Sequence, residues 1–100
     1  MSSEAMKDFN GKLRQAIDET IFSILGQYYE YSLRAEELSS RLDTLMEVLE
    51  YTFGPPGART IGRAIAKRLY WKLGIQFLPR DEYTFQDYVE EAKKKLVILN

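Results

Sequence analysis

Apolar residues recur every three or four positions through the first quarter of the chain. The stripe consists of Phe9, Leu13, Ile17, Ile21, Ile24 and Tyr28. An α-helix turns once per 3.6 residues, so this spacing places them on one face and predicts an amphipathic helix. Gly26 either ends this helix or lies within a longer one that would continue to Leu49 as a coiled-coil seam. We favour breaks near Gly26 and Ser39, because helices beyond about 25 residues are uncommon in small domains.

The middle of the chain predicts two helices separated by a sharp corner. The first begins near Ser40, because Ser40 and Asp43 have the spacing of an N-terminal capping box. It is expected to end at the run 54–57, Gly-Pro-Pro-Gly, since proline cannot continue the hydrogen-bonded ladder of a helix. The next helix covers 58–73. Its small residues Gly62 and Ala66 would let another helix approach closely, and Gly74 is its expected C-cap.

The last quarter predicts an extended connector over 75–80 and one further helix. Thr84 and Asp87 have the spacing of a capping box at its start. The apolar tail from Leu96 to Leu99 is expected to be buried, because a free apolar terminus favours aggregation. The predicted architecture is therefore one all-α domain over 1–100, a compact bundle of four to five helices. Its predicted core comprises Ile17, Ile21, Ile24, Leu45, Leu49, Phe53, Ile61, Ile65, Leu69, Phe85 and Val89.

Composition narrows the chemistry available to this domain. Of the 100 residues, 45% are apolar and 29% charged, which is typical of a globular protein. Cysteine and histidine are both absent, which excludes thiolate nucleophiles, disulfides and imidazole acid-base relays. We therefore expect no enzyme and assign no catalytic, cofactor-binding or metal-binding residue. Without an apolar run of 18 residues or a signal peptide, a cytoplasmic location is expected, and the many charges and few amides favour a thermophile.

The basic helix at 58–73 is the feature that core packing explains least. Residues 1–50 carry five Lys or Arg against ten Asp or Glu, whereas residues 51–100 carry nine against five. The candidate nucleic-acid contacts are Arg59, Arg63, Lys67, Arg68 and Lys72. On a helical wheel Arg59, Arg63 and Lys67 form one stripe, with Tyr70 inside it and Trp71 beside it. The alternative is that acidic residues face this stripe, namely Asp43, Glu47 and Glu50 or Glu36 and Glu37.

Tyrosines and paired acids are the other candidates for function. Tyr28 and Tyr31 continue the first apolar stripe, whereas Tyr29 points elsewhere, so the three favour packing or a protein interface. Four acidic pairs occur, Asp18-Glu19, Glu36-Glu37, Asp81-Glu82 and Glu90-Glu91. Neighbours in sequence do not share a helix face, so these pairs are interpreted as solvated charges.

Glycines and apolar residues in the first three quarters of the chain form a pattern of their own. The pattern includes Ile24-Leu25-Gly26, Tyr28-Tyr29, Leu45 to Leu49, Phe53-Gly54, Gly57-Ala58, Ile61, Ile65, Leu69-Tyr70 and Leu73-Gly74-Ile75. Over 17–75 it resembles a group of small archaeal helical domains of unknown function, some of them described as signalling output modules. The final helix and the Pro55-Pro56 corner depart from that pattern.

The resemblance implies an all-helical regulatory or interaction domain, without catalytic residues to carry over. The sequence therefore favours a non-enzymatic interaction module that acts as a homodimer. Its candidate interface residues are Tyr28, Tyr29, Tyr31, Leu96, Val97, Ile98 and Leu99. The alternative is a small nucleic-acid-binding protein that uses the basic helix at 58–73.

Overall fold

The computed structural model describes residues 3–26 and 41–99. Over these residues the chain is all-helical, with α1 at Ser3–Leu25, α2 at Leu42–Leu73 and α3 at Phe85–Leu99. The described residues form three helices, whereas four to five were predicted for the chain. The difference has a physical reason at the Gly-Pro corner, where two predicted helices form the single element α2. The predicted break near Ser39 and the alternative seam through 27–40 lie outside the described residues.

The first helix ends directly before Gly26, as the favoured one of the two interpretations predicted. Gly26 has a left-handed φ of +74°, and its N–H donates to the Phe22 carbonyl at 2.8 Å. The predicted stripe is buried from Phe9 to Ile21. Ile24 was expected in the core, but it is 51% exposed. By angle Ile24 lies on the buried face, so its exposure means that the described helices do not cover the last turn of α1.

The second helix is a kinked rod of two limbs, 42–53 and 55–73. Gly54 alone departs from helical geometry, with φ +78° and ψ 160°. The chain is helical again from Pro55, not from Ala58 as predicted. Pro55 and Pro56 occupy the first turn of the second limb, where the missing N–H has no helical partner to lose. The corner is therefore a kink inside one helix.

The end of α2 and the start of α3 confirm two predicted caps. Arg41 precedes α2 without a side-chain capping bond. Ser40, the first residue of the predicted Ser40 and Asp43 box, lies outside the described residues. Gly74 closes α2 in the left-handed conformation, and the Ile75 N–H donates to the Tyr70 carbonyl at 3.1 Å. At α3, Thr84 Oγ1 accepts from the Asp87 N–H at 3.2 Å, and Asp87 Oδ2 accepts from the Thr84 N–H at 3.0 Å. That reciprocal pair is the predicted capping box.

The core forms where α2 packs against α1 and α3. Nine of the eleven predicted core residues are buried; Phe53 is half-buried and Ile24 exposed. Gly62 provides the predicted close approach, because a Cβ built there would lie 3.1 Å from the Phe85 Cβ. Residues 75–80 form the predicted non-helical connector, which carries the chain back along the second limb toward α3.

Candidate interaction surface

Two of the five predicted basic contacts are ion-paired with the first helix. Arg68 Nη1 donates to Glu19 Oε1 at 3.2 Å, and Lys72 Nζ donates to Glu19 Oε2 at 3.0 Å. These bonds, Lys72 first, hold the pKa of the Glu19 carboxyl below its usual value. Glu19 therefore links α1 to α2 and is not the solvated charge that was predicted. The expected acidic partners Asp43, Glu47 and Glu50 are not the ones used by Arg68 and Lys72. The alternative partners, Glu36 and Glu37, lie outside the described residues.

Arg59 and Arg63 are bound instead by the backbone that precedes α3. Arg59 Nη2 donates to the Asp81 carbonyl at 3.0 Å, and Arg63 Nη2 donates to the Arg80 carbonyl at 3.2 Å. Each guanidinium has five N–H donors, so further donors remain beside those carbonyls. The basic helix therefore holds the chain where it turns from the connector into α3.

Tyr70 does not belong to the exposed basic stripe in which the helical wheel placed it. Its side chain is fully buried, and its hydroxyl is 2.7 Å from the Tyr88 carbonyl and 2.8 Å from Glu91 Oε2. Burial, followed by Glu91, raises the pKa of the Tyr70 hydroxyl far above its usual value. Glu91, predicted to be solvated, is thus a partner of a buried tyrosine. The wheel failed here because the connector and α3 fold back over this side of the helix.

Aromatic rings and one hydroxyl fasten the connector to α3. The Tyr70 ring meets those of Phe77 and Tyr88 edge to face, at centroid distances of 5.3 and 6.2 Å. The Tyr88 hydroxyl accepts from the Arg80 N–H at 2.8 Å and donates to the Arg80 carbonyl at 3.1 Å. The Arg80 guanidinium also lies 5.0 Å from the centre of the Tyr83 ring. Residues 77–88 therefore form a fixed wall beside α2.

A cleft of about 890 Å³ opens between this wall and the kink of α2. Its lining combines acidic, basic and apolar side chains. The first limb contributes Asp43, Met46 and Glu50, the second limb Pro55, Pro56, Arg59, Thr60 and Arg63, and the wall residues 82–86 and Tyr88. The volume falls in the range of small-molecule binding pockets. Asp43 is itself held by the wall, because Gln86 Nε2 donates to its Oδ1 at 3.2 Å.

Two large aromatic side chains project from the outer surface of α2. Tyr51 on the first limb is 95% exposed, and Trp71 near the end of the second limb is 78% exposed. Trp71 is the chain's only tryptophan. Lys67 lies one turn before it and is also exposed. Exposed Trp and Tyr are the residue types that concentrate at the centres of protein interfaces.

The other predicted interface residues are only partly covered by the structure. Tyr28, Tyr29 and Tyr31 lie outside the described residues, as do the side chains of Val97, Ile98 and Leu99. Leu96 is half-buried and packs against the core, as expected for the start of the apolar tail. Within 3–26 and 41–99, acidic side chains do not gather in a group of three that could hold a metal ion. Among the same residues, no helix has the length and apolarity needed to span a bilayer.

Comparison with known proteins identifies no relative of this chain. No protein-family model matches the chain, and no curated protein or solved structure matches it. The geometry of the described residues is therefore the basis on which a function is inferred.

The cleft and the anchoring role of Arg59 and Arg63 are absent from the sequence interpretation. Both depend on residues 80–88 returning to a helix about 20 positions earlier, and helical periodicity carries no signal for that return. A partial signal did exist, since acids are lacking over 52–79 and occur next at Asp81 and Glu82. The exposure of Trp71 was compatible with its position beside the basic stripe.

Proposed function

We propose that this chain is a helical interaction or regulatory module that acts through protein–protein contacts as a homodimer. The observation that carries the proposal is Trp71, a tryptophan left 78% exposed on the outer surface of α2. An exposed indole keeps a large apolar area in contact with water. Burying that area against a partner surface lowers the free energy, which favours association. The resemblance to archaeal regulatory domains and the cytoplasmic location stay predictions.

The nucleic-acid alternative is weaker because the basic residues already have internal partners. Arg68 and Lys72 bind Glu19, and Arg59 and Arg63 bind backbone carbonyls. Counterion release from nucleic acid requires cations that are free to lie along phosphates. Lys67 and the unused guanidinium donors are what remains for that purpose. Salt-sensitive binding of a random duplex or single strand in an anisotropy titration, lost on replacing Arg59, Arg63 and Lys67 by Ala, would favour this alternative.

Light scattering across a concentration series tests the homodimer directly. We expect the mass to rise to twice 11.7 kDa at tens of micromolar protein. Because Trp71 is the only tryptophan, its fluorescence is a second readout from one defined position. Its emission should shift to the blue over the same concentration range if Trp71 becomes buried on association. A monomer mass throughout, with unchanged emission, would overturn the proposed homodimer.

A further inference from the structure

We infer that the cleft at the kink of α2 receives Trp71 from a second copy of this chain. The inference rests on the proposed homodimer and specifies its contact. Each copy has both this cleft and an exposed Trp71, so two copies related by a twofold axis satisfy both at once. Such a reciprocal interface closes, whereas a one-way contact of the same kind would extend into a filament.

The cleft has the chemistry that an indole with basic neighbours requires. Met46, Pro55 and Pro56 supply apolar surface, and the rings of Tyr83 and Phe85 line the opposite wall. A tryptophan side chain is much smaller than the 890 Å³ available, so part of the surrounding helix also fits. Asp43, Glu50 and Glu82 add three carboxylates against the two guanidinium groups of Arg59 and Arg63, so the lining carries a net negative charge.

Those carboxylates complement the charge around Trp71. The turn before Trp71 contains Lys67 and Arg68, and Lys72 follows it directly. Glu19 of α1 offsets one of these three positive charges, so the surface around Trp71 keeps a net positive charge. Oppositely charged surfaces favour encounter and fix the orientation of two partners. Arg59 and Arg63 also line the cleft, and an Arg guanidinium binds favourably to the face of a tryptophan ring.

The position of Trp71 excludes the cleft of its own chain and is compatible with the cleft of a second copy. Trp71 lies eleven residues beyond Thr60, which lines the cleft on the same limb. At 1.5 Å per residue that separation is about 16 Å along the helix, so Trp71 cannot enter the cleft of its own chain. Two antiparallel second limbs, however, each place a Trp71 end beside the other's cleft end. The separation between Trp71 and the cleft is the same in both copies, so both Trp71 contacts of a twofold dimer can form together.

Two substitutions separate the two halves of the proposed contact. Trp71→Ala removes the inserted side chain and, with it, all tryptophan fluorescence. Glu50→Arg reverses a charge in the cleft lining while retaining Trp71. Both residues are exposed, so both variants should fold. We expect each variant alone to dimerise at least about tenfold more weakly than the wild type, the effect of losing a central interface residue.

Mixing the two variants provides the decisive measurement. Titrating Trp71→Ala, which has an intact cleft, into Glu50→Arg should shift the Trp71 emission to the blue. The same titration with the double variant Trp71→Ala/Glu50→Arg should leave it unchanged. Glu47→Arg is the matched control, because Glu47 is exposed on the same limb but does not line the cleft. It carries the same charge reversal and should dimerise like the wild type.

The outcomes distinguish this inference from the proposed function. A wild-type dimer that persists unchanged in Trp71→Ala and in Glu50→Arg would overturn the cleft contact and leave the homodimer standing. Equal weakening by Glu47→Arg and Glu50→Arg would also overturn it, since general repulsion would then explain the effect. A wild-type monomer at all concentrations would overturn both.

Discussion

Gly62 illustrates how the absence of one side chain controls the packing of two helices. It is buried on the second limb of α2, directly beneath the first residue of α3. A Cβ at this position would lie 3.1 Å from the Phe85 Cβ, closer than carbon atoms normally pack. The Phe85 Cβ is fixed to its backbone, so it can retreat only if the start of α3 moves. Gly62 therefore sets the distance between α2 and α3.

Alanine at Gly62 should destabilise the protein, and alanine at Gly11 should stabilise it. Both glycines lie inside helices, where alanine is intrinsically better by about 0.5–1 kcal/mol. At Gly11 nothing lies within 4 Å of the added Cβ, so that gain should appear in full. At Gly62 overpacking costs about 1–3 kcal/mol and outweighs it. Urea denaturation should show a higher free energy of unfolding for Gly11→Ala and a loss of about 1 kcal/mol for Gly62→Ala.

The pair of variants is its own control, because the propensity gain is common to both. Stabilisation of similar size in both would mean that α3 moves freely away from Gly62. In that case the close approach would have no energetic role. A change in the denaturant slope of either variant would indicate an altered unfolded state, not altered packing.

Tyr70 marks the limit of residue-by-residue reasoning from sequence. The wheel angle correctly aligned it with Arg59 and Arg63, and all three do lie on one side of the helix. The connector and α3 cover that side at Tyr70, however, whereas Arg59 stays exposed. Periodicity reports which residues share a face, whereas the element that covers the face is a long-range property. For the same reason the wheel could not predict the bond from Tyr70 to Glu91.

At the scale of elements, local signals predicted the ends of helices better than their number. Gly26, Gly74 and the pair Thr84 and Asp87 act as predicted, because caps depend on a few neighbouring residues. The Gly-Pro corner was located correctly but its consequence was wrong. Proline in the first turn of a helix has no intrahelical bond to lose, so a helix resumes immediately after Gly54. Whether a corner separates or bends a helix depends on how the limbs pack afterwards.

We expect the kink in α2 to require glycine at position 54. Its φ of +78° and ψ of 160° lie in a region that is essentially restricted to glycine. No atom lies within 4 Å of a Cβ added there, so the cost of Gly54→Ala is one of backbone strain alone. We expect a loss of about 1–3 kcal/mol in the free energy of unfolding. Chemical denaturation of Gly54→Ala beside Gly11→Ala measures it.

The same variant also tests whether the kink shapes the cleft. If strain straightened α2, the two limbs would change their angle and the cleft lining would separate. Dimerisation of Gly54→Ala should then weaken together with its stability. Unchanged stability in Gly54→Ala would contradict the assigned backbone conformation at this residue.

At the scale of the whole molecule, the uneven distribution of charge along the chain leads to ion pairs between its two halves. The first half is acidic and the second basic. Their opposite charges meet where Glu19 of α1 binds both Arg68 and Lys72 of α2. The sequence predicted acidic partners for the basic helix, but it selected acids on the neighbouring limb because they are close in sequence. Tertiary packing instead brings together positions about 50 residues apart, which a charge pattern alone does not specify.

Acidification should remove the contribution of this contact in a defined direction. The bonds from Lys72 and Arg68 hold the pKa of Glu19 below its usual value in the folded state. The carboxylate therefore stabilises the fold above its unfolded pKa, and the contribution is lost as pH falls through the lowered folded pKa. Because the Glu19 side chain is 43% exposed, solvent screening limits its contribution to below about 1 kcal/mol.

Glu19→Gln isolates that contribution, because the amide resembles the protonated acid in shape and lacks the charge. We expect the wild type to be more stable than Glu19→Gln at pH 7 and the two curves to converge below the folded pKa of Glu19. Urea denaturation across that pH range measures the difference at each point. Glu47→Gln, at an exposed position on α2, controls for the general loss of one negative charge. A constant gap between wild type and Glu19→Gln at every pH would show that the carboxylate charge is not what joins the two halves.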